Sequence, residues 1–174
     1  MATIQRLSPE RYDELVNAGV FASQHVELID GQLIEMSPQG DEHQNLVQWL
    51  TGQLAARPEL LRVQLPLAVP NGRPEPDLAL APRRRRPPDT AMLVVEIAVT
   101  SLEQDFAKLA GYAAAEVPVA WVIDVPGRVV HLFERPSQGV YVAHRVLDVG
   151  DTLPSPVDGI APIRVGALFA VLED

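Results

Sequence analysis

The chain contains 174 residues, of which 47% are hydrophobic, and it carries a formal net charge of −9. This length suffices for one domain with a buried core and is short for two, so we expect residues 1–174 to form a single domain. The acidic charge argues against a protein that coats nucleic acid through bulk positive charge, and the lack of cysteine excludes disulfides and thiolate metal sites.

The composition favours a cytoplasmic protein that does not bind membranes. No apolar run approaches the length of a membrane span, and Met1–Leu7 lacks the basic and then apolar pattern of a secretory signal. Lys108 is the one lysine among the 14 Lys and Arg residues. A single lysine in so arginine-rich a chain either remains by chance or has a specific role.

The first third of the chain predicts a helix, a β-hairpin and a second helix. The elements are a helix opening at Ser8-Pro9-Glu10 and ending at Asn17-Ala18-Gly19, strands His25–Ile29 and Gln32–Met36, and a helix Glu42–Ala56. Asp30-Gly31 lies between two apolar-containing runs, which is a strong hairpin signal. Ser8 can cap the first helix, and Ser37 or Asp41 can cap the second.

Three strands are predicted in the middle of the chain. They are Leu61–Val69, a segment that begins at Glu75-Pro76-Asp77 and reaches Leu80, and Met92–Val99. Pro66 indicates that the first is an edge strand or contains a bulge. The basic loop Pro82–Pro88 connects the other two, so we expect them to pair antiparallel.

The C-terminal half predicts a helix, several strands and a last helix. The elements are a helix Leu102–Ala115 capped by Thr100 or Ser101, strands Val119–Val125, Arg128–Glu134 and Val140–Leu147, a short strand near Ile163, and a helix Val165–Leu172. The whole chain therefore predicts an α/β (α+β) fold, in which helices flank a mixed central sheet. A β-hairpin precedes this core, and an antiparallel hairpin follows it.

Glu96 interrupts the otherwise apolar run Met92–Val99. A run of this length, rich in β-branched residues, is typical of a strand buried on both faces. A carboxylate in such a strand is costly unless it is paired, hydrogen-bonded or bound to a metal. An arginine partner or backbone amides can satisfy Glu96, and so can a metal ion.

The helix after this strand has two different faces. Its apolar stripe consists of Leu102, Phe106, Leu109 and Ala113. Its other face carries Ser101, Asp105, Lys108 and Tyr112, which follow one another at steps of four, three and four residues. Lys108 is therefore either a solvent-facing residue paired with Asp105 or Tyr112, or a functional group that converges with Glu96.

Asp77, Glu96 and Lys108 together match the chemistry of phosphodiester hydrolysis. Two carboxylates on adjacent strands can share Mg²⁺ or Mn²⁺, which prefer oxygen ligands. Such a metal can lower the pKa of a bound water and stabilise charge on a phosphate oxygen. A lysine can then orient water or neutralise phosphate. Asp77 alone, after a proline, also suits a turn or cap.

The order and spacing of several segments resemble the PD-(D/E)XK nuclease superfamily, and more closely its Uma-type group of restriction-endonuclease-like proteins. The segments are Val26–Gly31, Ser37-Pro38 to His43, Glu75-Pro76-Asp77, Leu93–Glu96, Thr100 with Asp105, Lys108 and Tyr112, and Val117-Pro118 to Asp124. This resemblance covers most of the chain. It implies a Mg²⁺- or Mn²⁺-dependent DNA endonuclease, often a homodimer, with metal ligands Asp77 and Glu96 and catalytic Lys108.

The chain departs from the superfamily pattern at the position of the catalytic lysine. That lysine is expected two residues after the glutamate, where this chain has Ala98. In the Uma-type group the lysine lies on the following helix, as Lys108 does. The alternatives are a catalytically inactive nuclease-like fold that binds nucleic acid or assembles with partners, and a nuclease for RNA or for damaged, branched or single-stranded DNA.

The resemblance also suggests further site residues around the central three. His43 lies at the start of the family's first core helix, and Glu42 beside it is a candidate additional metal ligand. Asp105 and Tyr112 accompany Lys108. The basic run of Arg83, Arg84, Arg85 and Arg86 is either a solvated loop or a set of phosphate contacts. The hairpin Arg128–Leu147 is the candidate dimer surface.

Overall fold

The structure is a computed structural model that describes residues 5–173, so the start of Met1–Leu7 and the last residue of the predicted domain lie outside the described residues. The helices are α1 Pro9–Asn17, α2 Asp41–Leu54, α3 Leu102–Ala114 and α4 Val165–Ala170. The strands are β1 Val26–Ile29, β2 Gln32–Glu35, β3 Leu61–Val63, β4 Leu78–Leu80, β5 Leu93–Ala98, β6 Val119–Asp124, β7 Val129–Ser137, β8 Val140–Leu147, β9 Thr152–Leu153 and β10 Ile163–Arg164. Within residues 5–173, no helix combines the length and apolarity needed to cross a membrane.

The core of the fold is a six-stranded mixed sheet with the strand order β3-β4-β5-β6-β7-β8. Strands β5 and β6 are parallel, with α3 connecting them, and each other neighbouring pair is antiparallel. The predicted antiparallel pairing of β4 with β5 is confirmed. The prediction of a mixed sheet flanked by helices, with hairpins at both ends of the chain, is also confirmed.

Each residue of β5 is buried, as its near-continuous apolar sequence predicts. Leu93, Val95 and Ile97 pack into a cluster that includes residues of α2 and α4. Val94 packs instead on the opposite face, in a cluster that includes Tyr112 of α3. Because side chains alternate along a strand, Glu96 faces α3 as Val94 does.

The hairpin β1–β2 lies outside the six-stranded sheet and is held by several separate contacts. Its turn contains Asp30 and Gly31, both with positive φ, which confirms the hairpin predicted from Asp-Gly. The hydroxyl of Tyr12 in α1 donates to the carbonyl of Val26 at 2.6 Å. Gly72 approaches β1 so closely that a Cβ atom there would lie 2.5 Å from the carbonyl oxygen of Leu28.

The predicted strand Leu61–Val69 is too long, because β3 ends at Val63. Gln64 adopts a left-handed backbone conformation with φ 47°, which ends the extended segment before Pro66. The backbone N–H of Gln64 then donates to the carbonyl of Asp77. This bond ties the end of β3 to the residue before β4.

Two helix caps also differ from the prediction. Gly40, and neither Ser37 nor Asp41, is the N-cap of α2, and no side chain bonds to the amides of its first turn. Ser101 is the N-cap of α3, but its hydroxyl donates to the Asp105 carboxylate at 2.6 Å and does not cap a backbone amide. The side chain that the sequence suggested as a cap therefore orients an acidic residue.

Candidate active site

Helix α3 turns its polar face toward β5, and its apolar stripe is buried only in part. Asp105, Lys108 and Tyr112 are buried, with Ala113 beside them. Leu102, Phe106 and Leu109 are only half-buried. The helix therefore brings an acid, a lysine and a tyrosine against β5, and this arrangement requires partners for their polar groups.

Lys108 lies among three carboxylates. Its Nζ atom is 3.2 Å from Oε2 of Glu96, 3.2 Å from Oε2 of Glu27 and 3.7 Å from Oδ1 of Asp105. The other carboxylate oxygen of Glu96, Oε1, accepts a hydrogen bond from the Tyr112 hydroxyl. Two donors one turn apart on the same helix therefore fix the orientation of Glu96.

Asp77 is fixed to the backbone of β5 beside Glu96. Its Oδ2 atom accepts a hydrogen bond from the backbone N–H of Ile97 at 2.8 Å. Its Oδ1 atom lies 2.8 Å from Nε2 of His43, at the start of α2. That contact is close but lacks hydrogen-bond geometry, and no described residue offers a hydrogen-bond partner to either ring nitrogen of His43.

Glu27 is a member of this cluster that the sequence did not single out. It comes from β1, and its carboxylate also accepts a hydrogen bond from the backbone N–H of Glu75 at 3.0 Å. In the sequence it is an acid between the apolar residues Val26 and Leu28, the same signal that identified Glu96. A polar residue in an alternating hairpin strand is usually on the solvent face, so this signal is weaker for Glu27 than for Glu96.

The cluster carries more negative than positive charge. Glu27, Asp77, Glu96 and Asp105 are between 1% and 6% exposed, and Lys108 is 3% exposed. Burial raises the pKa of Glu96 well above its ordinary value, and it raises the pKa of Glu27 and Asp105 although Lys108 opposes the shift. Glu27, Glu96 and Asp105 therefore favour the uptake of protons or of a cation.

The pKa values of Lys108 and Tyr112 respond to the same surroundings. Burial lowers the pKa of Lys108, but Glu96, Glu27 and Asp105 raise it by more, so the net shift is upward and the ammonium form is stabilised. Burial, and then the nearby Glu96 carboxylate, raise the pKa of the Tyr112 hydroxyl well above its ordinary value. Tyr112 therefore acts as a neutral hydrogen-bond donor to Glu96.

These groups line one open cavity of about 420 Å³. The charged groups and imidazoles in its wall are Glu27, His43, Asp77, Glu96, Asp105 and Lys108, together with His25 and Glu75. Neutral polar side chains, including Ser37, Gln39, Gln64 and Gln104, also line the cavity. A small polar or ionic ligand can therefore reach the whole cluster from one side.

Two predicted groups lie away from this cavity. Glu42 is exposed in the first turn of α2, where its neighbour His43 points inward. The four arginines Arg83–Arg86 are exposed in the loop that connects β4 to β5, beyond the ends of those strands opposite Asp77 and Glu96. Within that loop, Arg84 lies 3.5 Å from Asp89.

A comparison with protein-family models matches residues 9–161 to Uma2, described as "Putative restriction endonuclease". The chain belongs to this family. Its structure is similar to the crystal structure of "a putative nuclease belonging to DUF820" from Anabaena variabilis, with a TM-score of 0.67 and 19% identity over 86% of this chain and 92% of that chain. At 19% identity, this similarity shows a shared fold only. A comparison with curated proteins found no match.

The cluster of this Uma2-family chain fits a divalent cation by its donor types and its charge. Restriction-endonuclease-like nucleases generally use divalent metals, and Mg²⁺ is commonly held by one or two carboxylates with water completing its shell. Asp77 and Glu96 can supply those two carboxylates, and the surplus negative charge favours the cation. Among residues 5–173, no three His, Asp or Glu side chains already form a complete metal-ligand group.

Proposed function

We propose that this Uma2-family protein hydrolyses phosphodiester bonds in DNA with Mg²⁺ or Mn²⁺ held by Asp77 and Glu96. The observation that carries the proposal is the hydrogen bond between the Asp77 side chain and the backbone of β5. The Asp77 carboxylate accepts the N–H of Ile97, the residue after Glu96, so the two acids are adjacent at one cavity wall. Lys108 contacts the second of them.

The side chains around this pair have separate tasks. Asp77 and Glu96 would hold the divalent cation, which would supply polarisation of the phosphate and a lowered pKa for a water molecule. Lys108 offers an ammonium to a phosphate oxygen or to the attacking water. His43 has ring nitrogens without a described hydrogen-bond partner, so it can accept a proton from water or donate one to the leaving oxygen. Tyr112 and Lys108 hold Glu96 in place.

Replacing Glu96 tests this assignment. Purified protein with Mn²⁺ is expected to nick supercoiled DNA, and Glu96→Ala is expected to lower the rate by roughly 1000-fold or more, because it removes a metal ligand and a partner of Lys108. Glu103→Ala is the matched control, since Glu103 is an exposed acid in the first turn of α3. Equal cleavage by Glu96→Ala and the control would refute the assignment.

A second candidate function is a nuclease-like fold that binds nucleic acid or assembles with partners without cleaving. One observation favours it: both carboxylate oxygens of Glu96 already accept hydrogen bonds, from Tyr112 and from Lys108. Ala98 also occupies the position where the superfamily pattern places a lysine. Calorimetry with Mn²⁺ separates the two candidates. Binding that Asp77→Asn removes supports the nuclease, whereas no binding at millimolar Mn²⁺ supports the non-enzymatic module.

We also propose that the protein forms a homodimer through the hairpin β7–β8. Strand β8 is an edge of the sheet, and its side chains Val140, Val142 and Val146 are exposed. Exposed apolar residues on an unpaired edge favour association with another strand. Light scattering at high micromolar concentration tests this proposal. A monomer there would contradict it, and Val142→Lys should convert a dimer to a monomer.

A further inference from the structure

Lys108 has partners in two structurally separate parts of the protein. Glu96 and Asp105 belong to the β5–α3 unit of the main sheet. Glu27 belongs to the hairpin β1–β2, which is not part of that sheet. Both carboxylate oxygens of Glu27 lie near Nζ of Lys108, at 3.2 Å and 3.4 Å. The contact joins two residues that are 81 positions apart in the chain.

Several contacts fix Glu27 in this position. Its carboxylate accepts the backbone N–H of Glu75, so one more partner orients the side chain. Val26 before it accepts the Tyr12 hydroxyl, and the carbonyl of Leu28 after it accepts the backbone N–H of Arg73 at 2.8 Å. Bonds on both sides of Glu27 therefore hold its backbone. Such a supported side chain can impose a fixed geometry on a flexible partner.

We propose that Glu27 is a positioning residue that holds the Lys108 ammonium against Glu96, so that the N-terminal hairpin forms part of the active site. Its consequence for the reaction rests on the proposed nuclease function. Lysine has a flexible four-carbon stem and a single point charge, so its location depends on the partners that surround it. Glu96 and Asp105 approach the ammonium from the β5–α3 unit, to which Lys108 itself belongs. Glu27 supplies the contact from the hairpin β1–β2.

The single lysine allows a direct test that needs neither metal nor activity. Protein labelled with ¹³C,¹⁵N-lysine contains one labelled lysine side chain, that of Lys108. In the wild type, the buried ammonium is expected to give one signal that exchanges slowly with water. Glu27→Gln keeps the shape of the side chain but removes its charge, so we expect this signal to shift and its exchange with water to accelerate by about tenfold or more.

The matched control is Glu35→Gln on the paired strand. Glu35 lies opposite Val26 in the hairpin register and is exposed, so the same substitution leaves Lys108 untouched. A thermal melt shows whether each variant is folded. Glu27→Asp provides a second variant, since it retains the charge with a shorter side chain and should give an intermediate shift. An unchanged Lys108 signal in folded Glu27→Gln overturns the proposal.

Kinetics then tests the link to catalysis. In the DNA-nicking assay, Glu27→Gln is expected to lower kcat by about 10- to 100-fold with little change in KM, because it displaces a group that acts in the reaction. Wild-type kcat in Glu27→Gln would overturn the catalytic part. If the wild type does not cleave DNA at all, the proposed function fails, whereas the Lys108 signal still decides whether Glu27 positions the lysine.

Discussion

The two ends of the β4–β5 hairpin carry opposite charges in opposite surroundings. At the open end, Asp77 and Glu96 are buried together and Glu96 contacts Lys108. At the closed end, the four arginines Arg83–Arg86 are exposed in the connecting loop. The arginine run is the more conspicuous feature of the sequence. However, Glu96, a glutamate in an apolar strand, lies in the cavity, and more charged groups interact there than in the arginine loop.

The two ends differ in burial, so ion pairs at the two ends should contribute differently to the free energy of unfolding. An exposed ion pair such as Arg84 with Asp89 contributes roughly 0–1 kcal/mol, because water screens it and ordering two long side chains costs entropy. Removing one partner from a buried pair leaves an uncompensated charge and costs about 3–5 kcal/mol.

Lys108→Met should have the largest effect on stability. It removes the cation that neutralises Glu27, Glu96 and Asp105, so we expect the free energy of unfolding in urea to fall by about 3 kcal/mol. Arg84→Met at the closed end should change it by less than about 0.5 kcal/mol. Equal effects of the two substitutions would contradict the comparison.

Tyr112→Phe should destabilise the protein by about 1–3 kcal/mol, because Oε1 of Glu96 loses its donor within a buried site. A double-mutant cycle with Glu96→Ala measures the coupling of the two side chains. If Tyr112→Phe costs as much in the Glu96→Ala background as in the wild type, the hydrogen bond is not the cause.

The raised carboxyl pKa values predict that metal-free protein loses stability as pH rises. In the folded state Glu96, Glu27 and Asp105 retain protons that the unfolded chain has already released. Their contribution is therefore present below the ordinary carboxyl pKa and is lost as pH rises through the folded-state values. Glu96→Gln, with chelator present, should reduce this decline, because it removes the carboxyl group whose pKa burial raises well above its ordinary value. Urea unfolding at a series of pH values measures the difference. A steeper decline in Glu96→Gln would reverse this interpretation.

Replacing all four residues Arg83–Arg86 by alanine should have the smallest effect on stability and on kcat. We expect the free energy of unfolding to change by less than about 0.5 kcal/mol and kcat to stay within about twofold of the wild type. If the loop contacts phosphates, DNA affinity should fall for all sequences alike and depend less steeply on salt. A loss of kcat comparable to that of Glu96→Ala would show that the loop acts at the cavity.

Much of the fold could be predicted because its signals are local. Asp30-Gly31 fixes a turn through its own backbone preferences, and the apolar run around Glu96 identifies a central strand. The length of β3 could not be predicted, because Gln64 adopts its left-handed conformation in a segment bonded to Asp77. The predicted N-cap of α2 was also wrong: Gly40 takes this position in place of Ser37 or Asp41. Several residue types near a helix start suit the N-cap equally well.

The candidate site was partly predictable, because some of its signals are also local in the sequence. The helical spacing from Lys108 to Asp105 and Tyr112 is visible in the sequence, but it does not show which face of α3 is buried. Helix α3 buries that polar face because Glu96 and Glu27 offer partners to its side chains. One of these, Glu27, is 81 residues from Lys108, a distance at which spacing carries no information.

The sheet has two edges of unequal length, and this limits how copies of the chain can assemble. Strand β3 offers three residues at one edge, whereas β8 offers eight at the other. A contact that pairs β8 with the β8 of a second copy is isologous and uses the long edge of both. Growth into a fibre would need the short edge to pair as well. If copies join through β8 as proposed, assembly would therefore stop at two, and the exposed valines of this edge strand would be protected from continued polymerisation.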